Sequence, residues 1–132
     1  MPILLDHLIV PSHDKNTGAR QLAELLDVPY ESSEGMFAPV YVNETLTLDF
    51  GDWPEFDVHH YCFHVTDAEF DAIHARLVAA GVSYRSSPHG PIDMQISTYG
   101  GGKNLYWFDA DGHNWEILTV SYARPAVPSA VK

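Results

Sequence analysis

Leu4-Leu5-Asp6-His7-Leu8-Ile9-Val10, laid over Asp57-Val58-His59-His60-Tyr61-Cys62-Phe63, puts His7 on His60 and, seven residues further on, Asp14 on Asp67. Self-similarity of this kind says that one supersecondary unit occurs twice. Each aspartate opens a stretch with helical spacing: Ala19, Leu22, Ala23 and Leu26 in the first copy, Phe70, Ile73, His74 and Leu77 in the second. Apolar residues at steps of three and four give a helix one dry face, so both stretches are predicted to be amphipathic helices lying on a sheet. Thr66 with Glu69 forms a capping box at the start of the second helix, and Gly81 supplies its stop. Both helices leave through a Val-x-Tyr exit, Val28-Pro29-Tyr30 and Val82-Ser83-Tyr84.

After each helix the period changes to two. Phe37 to Val42 and Thr45 to Phe50 flank Asn43-Glu44, a hairpin turn, with Leu46, Leu48 and Phe50 on one side and Thr45, Thr47 and Asp49 on the other. In the second copy Met94 to Thr98, Asn104 to Phe108 and Asn114 to Val120 read as strands. Gly100-Gly101-Gly102 and Asp109-Ala110-Asp111-Gly112 separate them, and Pro88, Gly90 and Pro91 mark a loop before them. Strand, helix, then two or three strands, repeated, makes a mostly antiparallel sheet with helices on one face and the other face free to curl into a cleft. Alternation along a strand then sorts the side chains. With Leu8 and Val10 toward the helix, Leu5, His7 and Ile9 face the cleft. With Tyr61, Phe63 and Val65 toward the helix, His60, Cys62 and His64 face it.

The 132 residues fit one domain, divided into module one, about 1–55, module two, about 56–122, and a proline-containing tail, 123–132, that is either disordered or lies on a partner. Seven Lys and Arg against 18 Asp and Glu give a formal charge of -11, which repels nucleic acid and anionic membrane surfaces and leaves a small molecule as the expected partner. The single Cys62 has no internal disulfide partner, which suits a reducing cytoplasm, and its apolar neighbours imply a buried, inert thiol. The N-terminal stretch has no basic region and its apolar run is broken by Asp6 and His7, so neither a signal peptide nor a transmembrane span is expected. No Ser-His-Asp constellation is legible.

Two imidazoles and a carboxylate on a cleft floor are a facial triad that leaves open positions on a divalent ion. Glu116 is the one acidic residue well inside a module-two strand, delivered by the turn Asp109-Ala110-Asp111-Gly112, and its bulky neighbours Trp115 and Ile117 point it away from what they bury. The competing reading is that a chain with 8 histidines places two on strands by accident and that Glu116 is a solvated strand residue. Spacing alone leaves both standing.

Asp6-His7-Leu8-Ile9-Val10, His60-Tyr61-Cys62-Phe63-His64-Val65-Thr66-Asp67, and Leu105-Tyr106-Trp107-Phe108-Asp109-Ala110-Asp111-Gly112 through Glu116 resemble the vicinal oxygen chelate superfamily. It includes glyoxalase I, extradiol dioxygenases, fosfomycin-resistance thiol transferases and bleomycin-binding proteins. The resemblance runs from about Leu4 to Tyr122. It implies an α+β fold of paired βαβββ modules forming a curved mixed sheet around a metal-binding cleft, with His7, His60 and Glu116 as ligands to one divalent ion. Fe(II), Mn(II), Ni(II), Co(II) and Zn(II) all accept these ligands. It also implies a homodimer with two equivalent sites, in which His7 comes from one chain and His60 with Glu116 from the other; the sequence itself is equally compatible with pairing of the modules within one chain.

Within the family, the glutamate that glyoxalase I adds as a fourth ligand is missing, because that strand face carries Thr45, Thr47 and Asp49; Asp49 substitutes only if the register is displaced. Leu105, Tyr106, Asp109, Gly112 and Glu116 fit the end of the extradiol dioxygenase signature, with Ala110 in place of its proline. Ser97, Thr98 and Tyr99 stand where its first histidine belongs. Tyr106 is a candidate to hydrogen-bond a substrate oxygen, and His64 to act as general base or as a donor behind the ligands. Ile9 replaces the threonine of the fosfomycin enzymes, and Gly100-Gly101-Gly102-Lys103 is either a site for an anionic group or a flexible hairpin. Trp53, Phe56 and Tyr99 are candidates for an apolar substrate wall, or else core. The expected activity is dioxygenase-like or lyase/isomerase-like, with substrate oxygens, alone or with dioxygen, on the open positions. The alternative is a metal-independent drug-binding protein of the bleomycin type, which the acidic balance suits and the intact triad does not.

Overall fold

A computed structural model describes residues 3–125; most of the proline-containing tail, residues 126–132, lies outside the described residues. The described residues up to Val58, joined by Asp109–Gly112, form one compact unit. His59–Phe108, with those from His113 onward, form the other. Among the described residues no helix is long and apolar enough to cross a membrane.

The first unit contains β1 (His7–Ser12), α1 (Lys15–Leu26), β2 (Phe37–Tyr41) and β3 (Thr47–Asp52). Its sheet order is β1-β3-β2, with β1 parallel and β2 antiparallel to β3. The second contains β4 (His60–His64), α2 (Asp67–Ala79), β5 (Asn104–Phe108) and β6 (Asn114–Leu118), ordered β4-β6-β5 with the same senses. A parallel first and last strand needs a long crossover, which the helix supplies, and the antiparallel pair closes through a short loop. The repeat seen in the sequence is therefore a repeat of topology.

The fold is α+β, as two three-stranded mixed sheets with two helices. The extra strand of each module shrinks to isolated bridges. Tyr30 pairs with Val40, Arg85 with Tyr106, and Ser97 with Asn104, so Met94 to Thr98 is not a strand. Met94 takes a left-handed φ of 53°, which no strand admits, and Gly100 and Gly101, at φ 82° and 94°, turn the chain tightly before β5. The loop between β2 and β3 is longer than a two-residue turn. Asn43 Oδ1 accepts from the amides of Thr45 and Leu46, and Val42 N–H bonds the Leu46 carbonyl.

Asp14 caps α1 by accepting from the Thr17 amide, and Asp27 ends it in the left-handed region at φ 58°. The buried stripe is Ala19, Leu22, Ala23 and Leu25; Leu26, expected in it, is half-buried, because Leu25, one turn on from Leu22, holds the centre of the face. The Thr66–Glu69 capping box starts α2, and Gly81 follows its end at φ 70°. Phe70, Ile73 and Leu77 are buried, while His74 is half-buried with Nε2 bonded to the Tyr84 hydroxyl at 2.8 Å.

Strand alternation divides each sheet as read. Val10, Leu48, Phe50, Ala38 and Val40 are buried in the first unit, while His7 and Ile9 lie exposed on the other face. In the second, Trp107, Trp115, Leu105 and Ile117 are buried, and Tyr61 and Phe63 stack on Trp115 at 4.5 and 5.8 Å. The opposite face of that sheet has His60, Cys62 and His64 on β4, Asn114, Glu116 and Leu118 on β6, and Asn104, Tyr106 and Phe108 on β5.

Candidate metal centre

Cys62, Glu116 and Tyr106 form the middle row of that face, because β6 pairs Glu116 with both. Glu116 has no exposed surface, which excludes the solvated-strand reading. A buried carboxylate is tolerated only when its oxygens are satisfied. Here Oε2 accepts from the Tyr122 hydroxyl at 2.5 Å and Asn104 Nδ2 at 3.3 Å, and Oε1 lies 3.0 Å from His60 Nε2. Asn104 Nδ2 also donates to the Tyr106 hydroxyl at 3.2 Å, which in turn is 3.0 Å from that of Tyr122.

The other side of the His60 ring decides what the pair can hold. Nδ1 lies 2.9 Å from the Asn114 carbonyl, an obligate acceptor, so Nδ1 carries a hydrogen. In neutral imidazole, Nε2 then presents a lone pair to a carboxylate oxygen. Two acceptors 3.0 Å apart need a cation between them, either a proton on Nε2 or a metal ion. Ligand atoms at about 2.1 Å from an ion and at right angles are about 3.0 Å apart, so the separation fits a divalent ion. An imidazole whose far nitrogen is fixed by a carbonyl is also the usual arrangement of a metal-binding histidine.

His7 belongs to the first unit, with its side chain 60% exposed. Its Nδ1 is engaged by Asp6 Oδ2 at 2.7 Å, leaving Nε2 as the nitrogen available to bind. The Asp6 hydrogen bond, then its charge, raises the His7 pKa, and Asp49 adds to the rise. Among the described residues no group of three or more His, Cys, Asp and Glu side chains is placed to hold an ion. The structure thus brings His60 and Glu116 together, adds Tyr106 to their surroundings, and leaves His7 in the other unit.

His64 shares the face of His60, with Nε2 3.0 Å from the Thr119 carbonyl. Cys62 is not the buried residue expected, since it lies on this open face rather than on the packed one. Its thiol end is nevertheless set against Glu116. Lost solvation, then the Glu116 charge and hydrogen bond, push its pKa up to about 12, so it stays protonated and donates to the carboxylate. At the glycine loop, Lys103 Nζ is paired with Asp71 at 2.8 Å and Asp67 at 3.6 Å. Tyr99 and Trp53 are exposed, the Tyr99 ring edge-on to Tyr122 at 5.2 Å, and Phe56 lies 4.7 Å from the His13 ring.

Two partners of Glu116 were not read from the sequence. Asn104 carries a signal, being an amide on the same strand face as Tyr106. Tyr122 carries none, because it follows the last strand.

Oxidase ChaP-H2, a vicinal oxygen chelate protein of solved structure, is 36% identical to this chain, covers 93% of it and 98% of its own length, and superposes with a TM-score of 0.86. The chain belongs to the vicinal oxygen chelate superfamily. Oxidase ChaP-H1 is 35% identical, with coverage of 93% and 100% and a TM-score of 0.85. The lactoylglutathione lyase of Agrobacterium tumefaciens is 14% identical, with coverage of 89% and 94% and a TM-score of 0.69, and shares the fold alone. No family model matches this sequence, and no curated protein does. Members of the vicinal oxygen chelate superfamily generally use a divalent metal and are often dimers.

Proposed function

We propose that the chain is a divalent-metal-dependent enzyme that oxidises a small molecule through its oxygen substituents, at a centre formed by His7, His60 and Glu116. The observation that carries this is the fully buried Glu116 carboxylate facing a histidine nitrogen whose tautomer is already fixed for binding. Identity to two oxidases at 36% and 35% favours oxidation over the lyase or isomerase chemistry of the family. The bound ion would supply Lewis acidity and the positions at which substrate oxygens and dioxygen meet.

The residues of the chain do the rest. Asn114 holds the His60 ring, and Glu116 offers Oε1. The His60 side chain, 46% exposed, leaves the outer side of the pair accessible to substrate. His64 gives its Nε2 hydrogen to the Thr119 carbonyl, so its Nδ1 is free to take a proton from a substrate hydroxyl. Tyr106, expected to bond substrate, has its hydroxyl committed to Asn104 and Tyr122, and acts through them on Glu116. His7 completes the ligand set from a second copy of the chain, supported by its exposed position and its available Nε2.

The test is dioxygen dependence. Metal-loaded protein supplied with catechols and other aromatics bearing adjacent oxygens is expected to consume dioxygen with product formation, and His60→Ala to abolish both. Equal turnover under strict anaerobiosis would remove the oxidase assignment.

A further inference from the structure

Two donors converge on one oxygen of Glu116. Its Oε2 takes hydrogen bonds from Tyr122 Oη at 2.5 Å and Asn104 Nδ2 at 3.3 Å, whereas Oε1 lies 3.0 Å from His60 Nε2, and the Cys62 thiol donates to the same carboxylate from β4. Asn104 has two amide hydrogens, and both are used here, one on Glu116 Oε2 and one on Tyr106 Oη at 3.2 Å. The reverse amide orientation would set its carbonyl oxygen against the carboxylate, acceptor on acceptor, so Glu116 itself fixes which way Asn104 points. Tyr106 Oη, having accepted from Asn104, has Tyr122 Oη at 3.0 Å as the acceptor for its own hydrogen. Tyr122 then gives its hydrogen to Glu116. The chain of donors runs in one direction, from Asn104 through Tyr106 and Tyr122 to a single carboxylate oxygen, and successive bonds in such a chain strengthen one another.

We infer that Tyr122, backed by Tyr106 and Asn104, is a positioning residue that saturates Oε2 of Glu116, so that the carboxylate offers a divalent ion Oε1 alone. Both lone pairs of Oε2 are occupied, and chelation through both oxygens would break the 2.5 Å bond to Tyr122. A one-point carboxylate occupies one position where a chelating one occupies two, which leaves one more for substrate. This rests on the metal centre proposed above.

The experiment uses Co(II) as probe on metal-free full-length protein, following both the binding isotherm and the visible absorption of the bound ion. Tyr122→Phe keeps the ring beside Tyr99 and removes only the hydroxyl. It is expected to weaken Co(II) binding by about 10- to 100-fold, as loss of a partner behind a metal ligand does, and to change the Co(II) spectrum. Tyr106→Phe, which leaves the Tyr122–Glu116 bond but removes its support, is expected to fall between this variant and wild type; it also carries the test if Tyr122→Phe does not fold. A Tyr122→Phe protein with wild-type Co(II) affinity and spectrum, whatever its melting temperature, would assign Tyr122 to packing and overturn the inference. Wild-type protein that binds no Co(II) would overturn the metal reading and this inference with it.

Discussion

At the scale of single residues, the proposed chemistry depends on Glu116, and its hydrogen bonds tie it to the local stability as well. Its removal strands a phenol, an amide and a thiol that now donate to it in a buried setting. Glu116→Ala is expected to lower the unfolding free energy of the metal-free protein by about 1 to 3 kcal/mol, the usual cost of leaving buried donors without their acceptor. Glu116→Gln, which keeps an acceptor for Tyr122, should cost less; urea unfolding of the two variants checks the order. Cys62 gives a second expectation. Its thiol, pushed up to about 12, has a thiolate fraction at pH 8 that is lower than that of an ordinary cysteine by about 10³-fold. Iodoacetamide should therefore alkylate metal-free native protein slowly although the residue is exposed, with a rate that climbs about tenfold per pH unit up to pH 10. Alkylation at the rate of free cysteine would show that the contact with Glu116 is not maintained.

At the scale of elements, α1 begins under a carboxylate from β3. Asp52 Oδ1 accepts from the Lys15 amide at 2.7 Å and Oδ2 pairs with the Lys15 ammonium at 3.1 Å. The amide, then the ammonium, hold its pKa below the usual carboxylate range. A depressed carboxyl pKa contributes stability above the unfolded-state value and loses it as pH falls through the folded-state value. Asp52→Asn should therefore lower the melting temperature near neutrality, and the gap to wild type should close as pH falls through and below the ordinary carboxylate range. A gap independent of pH would contradict the pairing. Both helices were legible in the sequence because their signals are local: Asp14, Thr66 with Glu69, and Gly81 sit where caps must. The facing of His7 and His60 was legible because alternation needs only one buried neighbour to set it. Met94 to Thr98 misled because its apolar and polar residues alternate while Met94 adopts a backbone conformation that composition does not announce. Leu26 misled because steps of three and four both satisfy a stripe, and only packing selects Leu25.

At the scale of the whole molecule, the repeat is what singles out the proposed ligands: equivalent strands carry His7 and His60, and the strand beside β4 carries Glu116. Tyr122 stayed unread because its place is set by the chain beyond β6, where no periodicity operates. The shared-site reading has a direct consequence for assembly. If His7 is supplied across a homodimer, His7→Ala and Glu116→Ala chains each bind no ion alone, yet a mixed dimer of the two holds one intact centre. Differently tagged chains purified as the mixed dimer should contain one ion per dimer, whereas in-chain pairing of the ligands gives none. The most direct measurement is elemental analysis of wild-type, His7→Ala, His60→Ala and Glu116→Gln proteins purified without added metal. The expected result is one divalent ion per wild-type chain and loss of that ion in all three variants; stoichiometric metal retained by folded Glu116→Gln and His60→Ala proteins would contradict the centre proposed for this chain.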